Sequence, residues 1–153
     1  MICPAVTRQI KQALMVTARP LHGANYIDEG TGLPAVEQAS EWLKQGREVL
    51  DISVSALDEA GRATAGVHRR APGDSIWVQR FELTRGDSSR AQPYPLRSDA
   101  SWALPPARVT LSGRTTTLQV RYRVTELKAP GAYTSTVSAW TADTVAGPAF
   151  RLV

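Results

Sequence analysis

Thr117-Leu118-Gln119-Val120-Arg121-Tyr122-Arg123-Val124 alternates without a break, with Leu118, Val120, Tyr122 and Val124 on one side and Gln119, Arg121 and Arg123 on the other. A period of two is that of a strand with one face buried. The same period recurs around it. Ile52-Ser53-Val54-Ser55-Ala56-Leu57 alternates and runs into a turn at Asp58-Glu59-Ala60-Gly61. Ile76 to Leu83 is apolar at Ile76, Val78, Phe81 and Leu83, an alternation that slips by one and predicts a bulge. Val109 and Leu111 make a short strand closed by Ser112-Gly113, Pro130-Gly131 leads into a strand within 133–142, and Pro148 to Val153 closes the chain. Between these, Arg85 to Ala100 is rich in Ser, Arg and Asp and contains Pro93 and Pro95, so it reads as a long loop. Short strands with a turn signal every ~8–12 residues predict an antiparallel sandwich over 48–153.

Before Gly46 the period is 3.6. Pro4 suits a first helical turn, where its missing N–H costs nothing. Val6, Ile10, Ala13, Leu14 and Thr17 then share one helical face, and Pro20 with Gly23 ends the helix. Pro34 opens a second helix with Val36, Ala39 and Leu43 inward and Glu37, Gln38 and Glu41 outward. Glu37 near its start and Lys44 near its end suit the helix dipole. Gly46 fits the residue after the cap, and Gly30 and Gly32 fit a tight turn. The expected fold is therefore mainly β, a sandwich over 48–153 preceded by two helices within 1–47.

The chain has 153 residues and a net charge of +4, and no apolar run approaches the length of a membrane span. It opens with neither the basic nor the apolar region of a signal peptide. One cysteine, Cys3, excludes an internal disulfide framework and a cysteine-rich metal site. Residues 1–48 carry five basic and five acidic side chains, so the positive excess lies in the remainder. Fifteen arginines invite a phosphate-binding reading, but they are scattered singly, with only Arg69-Arg70 and Arg121/Arg123 close together. Arg121 and Arg123 fall on the outward face of their strand, and nucleic acid is not an expected partner.

Two stretches carry a family resemblance. Ile10-Lys11-Gln12-Ala13-Leu14-Met15-Val16-Thr17-Ala18, followed by Glu29-Gly30-Thr31-Gly32-Leu33-Pro34-Ala35-Val36-Glu37-Gln38-Ala39, resembles the end of the catalytic domain in subtilisin-like serine peptidases, the subtilases. In that family these words follow the helix bearing the nucleophilic serine. The second half, with Ile76-Trp77-Val78, Ser101-Trp102, Pro130-Gly131-Ala132-Tyr133 and Ala146-Gly147-Pro148-Ala149-Phe150-Arg151-Leu152 in order, is similar to the immunoglobulin-like domain after the catalytic domain in tripeptidyl peptidase II-like subtilases. The resemblance implies the last two helices of a truncated α/β catalytic domain, then a sandwich that buttresses the peptidase or helps it assemble. It implies a peptidase domain encoded upstream as partner. It also implies that Ile10, Leu14, Val36 and Leu43, shaped to cover a missing sheet, can mediate self-association.

The residues of the family's chemistry are missing. Where a Gly-Thr-Ser-Met turn would hold the serine, this chain offers Gly30-Thr31-Gly32. His22 and His68 are the only histidines, and His68 adjoins Arg69 and Arg70, whose charges disfavour its protonation. A triad needs a base oriented by a buried carboxylate, and no residue marks one. His22 with Asp28 and His68 with Asp74 are too sparse for a metal site. No catalytic, cofactor-binding or metal-binding residue is expected. Trp42 would cover the junction of helices and sandwich, while Trp77, Trp102 and Trp140 read as core packing, Trp102 being the most open. The competing class is a free-standing binding or adhesion sandwich with a helical cap, in which such aromatics would form a platform for sugar or peptide.

Overall fold

A computed structural model describes residues 4–19, 21, 30, 32–46, 50–64, 75–86, 91–131, 133–142 and 147–152. Two helices, α1 (Pro4–Thr17) and α2 (Val36–Lys44), precede strands β1 (Ile52–Leu57), β2 (Ala63–Thr64), β3 (Ile76–Arg85), β4 (Gln92–Ser98), β5 (Ala103–Leu104), β6 (Arg108–Leu111), β7 (Thr115–Arg123), β8 (Val137–Ala139) and β9 (Phe150–Leu152). The strands form two antiparallel sheets, ordered β2-β1-β3-β7-β5 and β6-β4-β8-β9. The chain is thus mainly β, a sandwich preceded by helices, as the periodicity requires.

The spine is the β3–β7 ladder, running in unbroken register from Ile76↔Arg123 to Thr84↔Thr115. The bulge expected in β3 is absent from this ladder. Gln79, buried at 5% exposure, takes an inward position, so Trp77, Gln79, Phe81, Leu83 and Arg85 alternate cleanly inward while Ile76 and Val78 face out. Its Nε2 donates to the carbonyls of Leu57 and Arg80, both at 2.8 Å, which offsets the cost of burying an amide. Buried Arg85 likewise donates through a guanidinium N–H to the Leu111 carbonyl at 3.0 Å.

The loop expected over Arg85 to Ala100 is corrected by β4. Tyr94 and Leu96 point into the core and Pro93 and Pro95 point out. The two prolines survive in a central strand because of which edge they deprive of a donor. Leu96 N donates toward the β6 side, to Ala107 O at 3.0 Å, so the odd-numbered positions face the β8 side. There β8 pairs from Leu96 onward and Trp140 N still donates to Pro95 O at 3.0 Å, so Pro95 lacks only the reciprocal bond at the end of that ladder and Pro93 lies beyond it. The strand expected within 133–142 shrinks to Val137–Ala139.

Twelve residues, among them Leu83, Tyr94, Leu111, Val120, Val137 and Phe150, fill one core between the sheets. Tyr94 meets Phe150 edge-on, centroids 5.8 Å apart. At the β1–β2 turn Asp58 accepts from Arg62 N at 2.8 Å and pairs with its guanidinium, contacts that hold the Asp58 carboxyl below its ordinary range.

The helices form an antiparallel pair. Arg19 and Leu33 exchange two backbone hydrogen bonds of 2.9 Å, and the Thr17 hydroxyl donates to Ala13 O at 2.8 Å. Gly46 follows α2 at φ 61, the left-handed position of a helix end. Contact between the helices rests on small residues, with Ala13 at 0% and Ala39 at 3% exposure, and on Trp42 beside them at 5%. Leu14, Val16 and Leu43 pack against that group. The expected inward set is corrected here, since Val6 and Ile10 are exposed at 44% and 42% and Val36 at 70%. One reason is length: α2 has 9 residues against 14 in α1, so it spans only about two-thirds of its partner. Trp42 belongs to the helix pair rather than covering the junction with the sandwich.

Candidate functional site

The helices meet the sandwich where β1 and the edge strand β9 come together. Gln12 Nε2 of α1 donates to Pro148 O at 3.3 Å, and Arg8 of α1 pairs with Asp51 just before β1. Both partners of that ion pair are roughly half exposed, so its contribution is about 0–1 kcal/mol. Steric fit is the stronger constraint. Gly147 has φ 82, and a Cβ there would lie 2.6 Å from a Val16 methyl, so α1 seats directly on this glycine. A cleft of about 330 Å³ remains along the seam, floored by Ile52, Val54 and Phe150 and rimmed by Lys11, Asp51 and Arg151.

A second cluster gathers residues of β3, β7, the turn before β5 and the segment after Gly131. Trp77 stacks on Tyr122 at 5.0 Å, and Trp102 approaches Tyr122 at 5.8 Å and Tyr133 edge-on at 6.2 Å. The Tyr133 hydroxyl accepts from Ala129 N at 3.0 Å and donates to Ala129 O at 2.7 Å. These rings stack on one another rather than presenting parallel free faces. Burial between the tryptophans pushes the Tyr122 phenol up to about 12. Only the protonated form suits this site, so the stability it supports is intact below pH ~10. It is lost as the pH rises from there through about 12. An absorbance titration at about 295 nm beside a pH series of melting temperatures checks this; Tyr122 ionising near pH ~10 in the folded chain contradicts it.

Neither cluster contains a histidine, cysteine or serine. His22, His68, Cys3 and Arg69-Arg70 lie outside the described residues, and among the described residues no three His, Cys, Asp or Glu side chains gather as a metal site would need. Of the four residues expected on a docking face, Ile10 and Val36 are open, whereas Leu14 and Leu43 are half-buried in the helix pair. Leu33, at 56% exposure just before α2, is a further open apolar side chain outside those four. Trp140 is half-buried, and its indole N–H is enclosed with no hydrogen-bond partner among the described residues. Sequence reasoning missed the seat at Gly147, although Gly147-Pro148 stood out as a word. Among the described residues no helix is long and apolar enough to cross a membrane.

No protein-family model matches the sequence, and no curated protein matches it. Among solved structures, the crystal structure of tripeptidyl peptidase 2 (TPP II) is similar, with a TM-score of 0.76 and 25% identity, over 95% of this chain and 13% of that one. A match over so much of the chain takes in the helices as well as the sandwich. The chain is therefore similar to one part of TPP II, and it spans about an eighth of that protein's length.

Proposed function

We propose that this chain is the non-catalytic C-terminal portion of a TPP II-like, subtilisin-like serine peptidase. In this reading residues 1–47 are the last two helices of the catalytic domain and 48–153 are the sandwich that follows it. The sandwich buttresses the peptidase domain or helps it assemble. The observation that carries the reading is the likeness to TPP II, which spans helices and sandwich together. The residues agree with it, because Ile10 to Thr17 of the first subtilase-like word lies in α1, Val36 to Ala39 of the second lies in α2, and Gly147-Pro148 falls on the seam between helices and sandwich. The open apolar side chains Val6, Ile10, Leu33 and Val36 are what helices made to lie on another domain would carry. The partner is then a peptidase domain supplied by upstream sequence, and in its absence the same face drives self-association.

The reading places all hydrolytic chemistry outside this chain. The purified chain is expected not to hydrolyse peptides or esters and not to react with a fluorophosphonate probe. Stoichiometric labelling of any serine, read by intact-mass spectrometry, overturns that assignment.

A further inference from the structure

The rings gathered around Tyr122 form a graded series from half-buried to open. Trp77 and Tyr122 are partners in the β3–β7 ladder, so their stacking at 5.0 Å, with 28° between the planes, is set by backbone register. Trp102 is held by its own backbone. Its carbonyl accepts from Arg123 N at 2.8 Å, and the next residue, Ala103, pairs with Tyr122. Its ring therefore sits 5.8 Å from Tyr122 and 6.2 Å from Tyr133. Each separation lies within the ~4.5–7 Å range of contacting aromatic rings, so Trp77, Tyr122, Trp102 and Tyr133 touch in sequence. Of the four, Tyr133 alone is exposed, at 41%.

Electron-rich indole and phenol rings readily give one electron to a radical oxidant. The electron hole then passes between rings in contact, because orbital overlap falls off exponentially with the gap. What fixes its resting place is the proton. A ring that has lost an electron becomes strongly acidic, and the hole is trapped where that proton can leave. The Trp77 indole N–H is shut off from solvent. Burial likewise holds the proton on the Tyr122 phenol, so this ring passes the hole on rather than keeping it. Tyr133 differs. Its hydroxyl donates to Ala129 O at 2.7 Å and accepts from Ala129 N at 3.0 Å, on a residue open to water. Its proton can leave to solvent while the Ala129 N–H stays on the oxygen. At neutral pH a tyrosyl radical also lies below a tryptophanyl radical in energy, which makes the last step downhill.

We propose that Trp77, Tyr122, Trp102 and Tyr133 form a relay that carries one-electron oxidation from the half-buried indoles to the surface, and that Tyr133 is the oxidative modification site of the sandwich. A radical oxidant takes one electron from an indole, an electron from Tyr133 refills it, and the Tyr133 hydroxyl proton goes to water. The net change is one electron gained by the oxidant and a neutral phenoxyl radical at Tyr133, with both indoles restored. A soluble thiol can then return a hydrogen atom to the exposed oxygen, leaving the thiyl radical in solution. The relay lies within the sandwich, so this inference is independent of the peptidase reading.

The test is pulse radiolysis of the full chain in azide solution, where the azide radical takes its electron mainly from tryptophan. Indolyl and phenoxyl radicals absorb at different wavelengths, so transfer reads as decay of the first with a matching rise of the second. The expected result is a first-order transfer whose rate does not change with protein concentration, as an internal step requires. Tyr133→Phe should remove most of the phenoxyl rise. Trp102→Phe, which keeps a ring but not an easily oxidised one, should at least halve it. Tyr26→Phe, at a tyrosine outside the described residues, should leave it unchanged. Because Tyr133 is exposed, its variant decides the question if Trp102→Phe alters the melting curve. A phenoxyl rise that survives Tyr133→Phe or a folded Trp102→Phe, that disappears in Tyr26→Phe, or whose rate scales with protein concentration would overturn the proposal. So would indolyl radicals that decay with no phenoxyl rise at all.

Discussion

Phe150→Ala is expected to lower the unfolding free energy by about 3–5 kcal/mol, the usual loss for a large aromatic side chain deleted from a core. Phe150 is 6% exposed, meets Tyr94 edge-on at 5.8 Å and also floors the cleft beneath α1. Its strand has three residues and pairs with β8 alone, so little else holds this edge of the sheet. For a domain of this size such a loss corresponds to roughly 6–20 °C in melting temperature. Thermal unfolding followed by circular dichroism reads it directly, and a shift below about 2 °C would mean that Phe150 does not occupy the shared core.

Gly147→Ala should cost about 2–6 kcal/mol through two separable effects. The backbone at φ 82 is strained for any residue with a Cβ, worth ~1–3 kcal/mol. The added methyl also presses on Val16 at 2.6 Å, an overpacking worth ~1–3 kcal/mol. A second change, Val16→Ala, opens that space and should restore the overpacking part while leaving the backbone part. Chemical denaturation of the two single variants and the double variant yields their coupling. If Val16→Ala restores nothing, α1 does not sit on Gly147 and the seam is wrong.

Legibility in the sequence followed the number of constraints on each element. β7 could be read at once because it is half-buried and its inward positions are apolar. β3 was misread at a single residue, since a buried glutamine at Gln79 breaks an apolar alternation without breaking the strand. β4 was hidden by Pro93 and Pro95, which mark loops in general; only the shift of pairing from β6 to β8 along the strand makes room for them. The helix pair was found, but its inward face was misassigned because a hydrophobic stripe does not say which neighbour it meets. Ala13 and Ala39, not Ile10 and Val36, allow the close approach. The seat at Gly147 needed the docked helix to give it meaning.

The proposal that the helices were shaped to lie against a further domain is tested most directly at Ile10 and Val36. They are 42% and 70% exposed, so serine at both should shift stability by no more than about 1 kcal/mol, the range of ordinary surface changes. The same double change should remove most of the concentration-dependent association that an open apolar face causes. Sedimentation velocity over a range of concentrations, run beside thermal melts of both chains, measures the two together. The account predicts self-association of the unmodified chain, a largely monomeric double variant and nearly matching melting temperatures. An unmodified chain that stays monomeric at every concentration, with a double variant that melts many degrees lower, would contradict it: those side chains would then belong to the core of a self-sufficient module.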